Sequence, residues 1–225
     1  MKRYFLIIFA IGVSISFLSA GAQTAPQREI ILSWRALNFF PANFEGKALA
    51  SPFSPVLVGV EAVENGKFVD ISQMPVSWKL DNKFLQSGTG LKEVLFRVQK
   101  NKGDFHIVQV SIGKNGAGGE ESILIPIAPQ TIVVELPYQG NSISPNIENT
   151  IKAIPYFFNI QALNDLSFFW QVNNTKEGGN SNNTLILKTG TPQVKSQNTI
   201  EITASAQNNE NPLEFAKTKV WINVK

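Results

Sequence analysis

The sequence predicts an all-β chain of two tandem β-sandwich domains behind an N-terminal signal segment. Three features predict it: a start that runs from basic to apolar to small residues, a tryptophan motif that occurs twice, and short alternating apolar runs that fill the rest of the chain.

Met1-Lys2-Arg3 is basic, Tyr4 to Leu18 carries no charge, and Ser19-Ala20-Gly21-Ala22 places small residues at −3 and −1 of a cut after Ala22. The apolar run is shorter than the ~20 residues a membrane span needs. Residues 1–22 are therefore expected to be a secretory signal peptide, with an uncleaved anchor as the alternative. The chain contains 0 cysteines, so a lipid-bearing cysteine and a disulfide framework are both ruled out, and an exported product must rely on its apolar core. The formal charge is +3, and two of those charges, Lys2 and Arg3, lie in the signal segment. No Lys/Arg cluster supports a nucleic-acid partner. No apolar segment follows Trp221–Lys225, so membrane contact is expected only through residues 1–22, if they are retained.

Trp78 and Trp170 stand 92 residues apart, and the same spacing carries Leu80 onto Val172, Asp81 onto Asn173 and Asn82 onto Asn174. The shared pattern is W-x-[L/V]-[D/N]-N. The spacing also places Val108-Gln109-Val110 on Ile200-Glu201-Ile202. Phe44-Glu45-Gly46-Lys47 matches Tyr138-Gln139-Gly140-Asn141 at 94, and Ser51-Pro52 matches Ser144-Pro145 at 93. Matches in one order at nearly one spacing predict two copies of one domain, residues 23–128 and 129–225.

Each copy reads as β. Val56, Val58, Val60 and Ala62 alternate along a strand that ends at an Asn65-Gly66 hairpin signal. Phe105–Ile112 and Ser122–Ile125 follow across a glycine-rich loop. In the second copy Ile132–Leu136, Ile154–Ile160, Phe168–Val172, Thr184–Leu187, Thr199–Ala206 and Lys219–Val224 read as strands. No helical apolar period is sustained after Ala22. About seven short strands in some 95 residues is the sandwich signature. Trp78 shares a face with Val76 and Leu80, and Trp170 with Phe168 and Val172, so both tryptophans are expected in the core. The Asp/Asn-Asn pair that follows is expected to start a turn. Only Ala128-Pro129-Gln130 separates the copies, which predicts two sandwiches stacked end to end in an elongated body.

The tryptophan of a central strand followed by Asp or Asn, together with Gly103-Asp104-Phe105-His106-Ile107 near the end of the first copy, resembles the Ig-like and PKD-like repeats of bacterial surface proteins. The second copy has Gln197-Asn198-Thr199-Ile200 in place of the latter element. The resemblance covers residues from about 28 to 225. It implies a non-enzymatic structural or adhesive module of the cell envelope, secreted or at the cell surface, with no catalytic or cofactor residues to carry over. Its partner would be a protein or a cell-wall or surface glycan.

Other chemistry is weaker. Ser111-Ile112-Gly113-Lys114, Ser144-Pro145-Asn146 and Lys188-Thr189-Gly190 follow the motif order of penicillin-recognising enzymes. Ser111 lies within an alternating strand rather than opening a helix, and the three motifs fall across two repeats, so the hydrolase reading is rejected. His106 is the only histidine and cannot build a zinc site alone; it is expected to be a partly covered sheet residue. Asp70, Asp81 and Asp104 would suit calcium only as a cluster, and turn-starting roles are expected instead. Aromatics crowd Phe39, Phe40, Phe44 and Phe53, then Tyr156-Phe157-Phe158 and Phe168-Phe169-Trp170. Strand alternation turns Phe157 or Phe169 outward, which makes them candidate ligand-facing rings of a carbohydrate-binding module. A flat row of two or three exposed rings would favour that alternative. Cover for a loop, an edge or the contact between repeats is the plainer reading.

Overall fold

The computed structural model describes residues 28–177, 182–192 and 198–225. The expected signal segment 1–22 lies outside them. The first copy holds β1 (Arg28–Ala36), β2 (Pro55–Glu64), β3 (Lys67–Val69), β4 (Pro75–Leu80), β5 (Lys83–Thr89), β6 (Glu93–Arg97), β7 (Phe105–Ile112) and β8 (Gly119–Pro126). In one sheet β2 has β1 on one side and β3 and β6 on the other; the facing sheet runs β5-β4-β7-β8. The second copy holds β9 (Thr131–Glu135), β10 (Ser142–Ile143), β11 (Glu148–Tyr156), β12 (Leu166–Val172), β13 (Thr175–Glu177), β14 (Thr184–Lys188), β15 (Thr199–Asn208) and β16 (Phe215–Val224). Its sheets run β14-β11-β9 and β10-β16-β15-β12-β13.

Both copies share one strand connection. After its first strand the chain crosses to touch the end of the last strand in parallel, and only then forms the long strand that pairs antiparallel with the first, β2 with β1 and β11 with β9. That parallel contact joins Ala50 to Ile127 in the first copy, and Ile143 to Val224 in the second. Ser51 and Ser144, matched by spacing, each come one residue after it. This layout makes the chain a tandem pair of Ig-like β-sandwiches. Two separate apolar cores result, one around Trp78, Ile71, Ile112 and Ile125, the other around Trp170, Phe168, Phe158 and Ile222.

The tryptophan motif also ends alike in both copies. Asp81 and Asn82 have φ of 50° and 63°, and Asn173 and Asn174 have 47° and 65°. Two successive left-handed residues make the two-residue hairpin turn that matches strand twist, and Asp and Asn tolerate that region better than most residues. The first residue of each turn then ties the hairpin to the neighbouring strand. The Asp81 amide donates to the Ile107 carbonyl at 2.9 Å, and Asp81 Oδ1 accepts the Ile107 amide at 3.0 Å. Asn173 exchanges the same two bonds with Glu201 at 2.9 and 3.0 Å.

Two expectations need correction. Val110 faces Trp78 across the sheet and Ala204 faces Trp170, so the repeat spacing in this strand is 94 and not 92. The difference is two residues, so the inward face is unchanged. The strand expected at Ile154–Ile160 is β11, Glu148–Tyr156. Its start was disguised because Asn149 occupies an interior position: it is buried, and its amide donates to the Ser144 carbonyl at 2.8 Å. Its end is set at Phe157, where φ turns to 65°. Pro155 is accommodated because the Ala153 amide donates toward Asn183, and the amide that Pro155 lacks would point the same way, past the end of β14.

Candidate functional site: the junction between the sandwiches

The phenylalanine-rich segments of the two copies meet. The Phe39 amide donates to the Phe158 carbonyl and the Phe157 amide to the Phe39 carbonyl, each at 2.7 Å, a single antiparallel bridge between domains. Polar side chains brace it. Ser51 Oγ donates to the Phe157 carbonyl at 2.6 Å, and buried Asn38 donates to the Leu49 carbonyl at 2.7 Å. Asn159 Nδ2 donates to the Pro52 carbonyl at 3.0 Å.

Asn159 is held in turn by Glu214. Its amide reaches Glu214 Oε2 at 2.9 Å and its Nδ2 reaches Oε1 at 2.6 Å, while Asn208 Nδ2 adds a third donor at 3.2 Å. Glu214 is 1% exposed and has no ion pair among the described residues. Amide donors alone stabilise this buried carboxylate, which ties its geometry to theirs. Aromatic edges complete the contact: Phe44 stands 5.4 Å from Tyr156 and 6.0 Å from Phe157, ring centre to ring centre.

Phe53 and Phe157 hold φ at 70° and 65°. A left-handed conformation in a bulky residue costs on the order of 1–3 kcal/mol and persists only where neighbours over-determine it. Both strained residues sit at the junction, one on each side.

Phe157 is therefore not a free, ligand-facing ring. It is 8% exposed and lies against Phe44 and Tyr156. The alternation argument failed because β11 stops at Tyr156. Phe169 does face outward on β12, 36% exposed. Trp78 and Trp170 lie inside their sandwiches at 0% and 2% exposure. Trp221 and Phe215, at 58% and 49% exposure, share the outer face with Phe169. Register shows that these rings do not touch: Phe169 and Lys217 both face Ser205, while Trp221 faces Glu201. Lys219 lies between them, ion-paired to Glu201 at 2.8 Å. The three rings make a scattered set and not a flat row.

Beside the bridge a groove of about 880 Å³ opens between the two sandwiches. Pro52, Phe53 and the Gln99–Lys102 loop form one wall, and Gln130–Ile132 with Leu213 and Phe215–Thr218 form the other. Lys100 is anchored at its rim. Its Nζ lies 2.9 Å from Asp81 Oδ2, and it donates to the Phe105 carbonyl at 2.8 Å. His106 Nδ1 shares the same carboxylate oxygen at 2.7 Å, and the ring packs edge-on to Phe96 at 5.3 Å. His106 is 2% exposed, more buried than expected. Burial pushes the Asp81 carboxyl up, but the Ile107 amide, Lys100 and His106 outweigh it and hold it below the ordinary carboxylate value.

The remaining residues singled out by sequence have local partners. Asp70 accepts the Ser72 amide at 2.9 Å, and Asp104 accepts the Asn101 amide at 3.3 Å. Ser111 lies in β7 and donates to Glu120 at 2.8 Å. Asn38, Asn159 and Glu214, which help build the junction, carried no motif, and Ser51 was marked only as the repeat match of Ser144. The aromatic crowding on both sides of the boundary was the one available signal.

No protein-family model matches the chain, and no curated protein does. Among solved structures it is similar to the three N-terminal domains of the bacteriophage RB49 Highly Immunogenic Outer Capsid protein, at 8% identity and a TM-score of 0.42, covering 88% of this chain and 59% of that one. It is also similar to the fibronectin(III)-like modules of Clostridium thermocellum CbhA, at 12% identity and a TM-score of 0.30, covering 87% and 94%. A third likeness is to a C-terminal 282-residue fragment of intimin in complex with the intimin-binding domain of its translocated receptor, at 12% identity and a TM-score of 0.29, covering 88% and 64%. The Ig-like assignment rests on the strand pairings themselves: two sandwiches of one topology, joined by a braced and strained junction.

Proposed function

We propose that the chain is an exported, non-catalytic structural or adhesive module of the cell envelope, with residues 1–22 removed as a signal and units 23–128 and 129–225 acting as one rigid arm. The observation that carries this reading is the junction. A spacer or display arm must hold its domains at a fixed angle, and here a backbone bridge, two side-chain braces across the boundary and edge-to-face aromatics hold that angle. Domain contacts without such locking swing by default. The basic, apolar and small-residue start supports export.

Two measurements test it. Intact mass and cell fractionation should find the chain outside the cytoplasm without Met1–Ala22; a membrane-bound chain that keeps them makes the segment an anchor. Small-angle scattering should give two lobes and a radius of gyration clearly above the ~17 Å of one compact body of this size. A value near that figure sinks the arm.

A carbohydrate-binding module is the second reading: Phe169, Phe215 and Trp221 share one exposed face, although as a scattered set and not the flat row that would favour it. Trp221→Ala would then abolish retention on insoluble glycans; unchanged retention removes the face from consideration.

A further inference from the structure

We propose that the junction groove and a neighbouring cleft on the first sandwich form one docking track for an acidic polypeptide segment bearing apolar side chains. The proposal rests on the adhesive reading above and names its partner class. The second cleft, about 530 Å³, lies between β5, β6 and the buried His106, and it shares Gln99 and Lys100 with the wall of the junction groove. The two cavities therefore adjoin across one loop, and an extended segment can run from one sandwich to the other.

Charge selects the partner. Lys83, Arg97 and Lys100 line the cleft, and Lys100, Lys102 and Lys217 line the groove. The only carboxylate in either wall is Asp81, which is already engaged by Lys100 and His106. Among the described residues Lys83, Arg97, Lys102 and Lys217 form no ion pair. Four unpaired cations along one path attract an acidic chain and repel a basic one.

Apolar surface selects a peptide over a polyanionic glycan. Phe84 and Leu95 flank the cleft at 69% and 55% exposure. Leu213, Phe215 and Phe53 flank the groove at 80%, 49% and 40%. The mixed Leu, Phe and Pro lining matches leucine- or phenylalanine-like side chains of a peptide, which a polyanionic glycan does not carry. Lysines beside strand ends also keep neutral strands from pairing there, so they discriminate as well as attract.

The test titrates the 15N-labelled mature chain with three probes: a twelve-residue peptide of mixed Glu, Leu and Phe, the same peptide with Lys for Glu, and an oligogalacturonate. Only the acidic peptide should shift resonances, and the shifts should map to both cavities. Raising salt to about 0.5 M should weaken binding, because exposed charges are screened. Combined K102E and K217E should weaken it about tenfold or more with the spectrum otherwise folded, and L213S should weaken it without changing the salt dependence. Three results overturn the track: no shifts at millimolar acidic peptide, equal binding by the lysine peptide, or oligogalacturonate binding at the same lysines in its place. Any of these with two-lobed scattering intact rejects the partner class alone. Compact scattering with binding intact rejects the rigid arm alone.

Discussion

The two sandwiches use the same tryptophan and the same left-handed turn, yet one turn carries a charge and the other does not. Asp81 binds the Ile107 amide, His106 and Lys100 together. Asn173 makes the same amide contact with Glu201, and the residue before it, matching His106, is Ile200. The amide contact is thus the structural element of the motif, since it survives the change from Asp to Asn. The carboxylate is an addition confined to the first copy. There it anchors Lys100 at the rim of the junction groove and fixes a buried histidine. The tryptophans differ as well: Trp78 Nε1 donates to the Leu91 carbonyl at 3.0 Å, while Trp170 Nε1 has no partner among the described residues.

The largest effect should come from removing what the copies share. Trp78→Ala and Trp170→Ala should each destabilise their own sandwich by about 3–5 kcal/mol, read by residue-resolved amide exchange on the full chain. Neutrality of both would remove the core role and reopen a binding one.

The turn residues come next, and here the copies should diverge. Asp81→Ala leaves His106 Nδ1 and the Ile107 amide without this partner and removes the Lys100 ion pair, and should cost about 2–3 kcal/mol; Asn173→Ala loses one bond and should cost about 1 kcal/mol. Equal losses in chemical denaturation would mean that the carboxylate network adds nothing.

Smaller still is the indole contribution. Trp78→Phe leaves the Leu91 carbonyl unpaired and should cost about 1 kcal/mol more than Trp170→Phe. The smallest effect is acid sensitivity. In the folded chain Asp81 titrates below the ~3.9 of an unfolded Asp, so its contribution is fully present above that reference pH and is lost as pH falls through the lower folded value. The first sandwich should therefore lose stability across this acid window by an amount that Asp81→Asn abolishes. Asn173 itself does not titrate, so Asn173→Ala should leave the acid profile of the second sandwich unchanged in shape.

Sequence alone determined the β class, the tandem repeat, the inward tryptophans and the turns after them. Each is written in nearby residues: alternation at period two, a repeated motif, and Asp or Asn where the backbone must enter the left-handed region. It misplaced β11, because Asn149 is polar at an interior position and only its bonds to Ser144 and the Ile147 carbonyl make that burial acceptable. It turned Phe157 outward because a local alternation rule continues a strand that the structure ends. What only the tertiary structure decided is the junction. Asn38, Ser51, Asn159 and Glu214 look like ordinary loop residues in the chain, and Ser51 stands 106 residues from the carbonyl it binds. Their role is set by which carbonyls and amides the two folded sandwiches leave facing each other, and that follows from packing over long sequence separations that no short window of residues encodes.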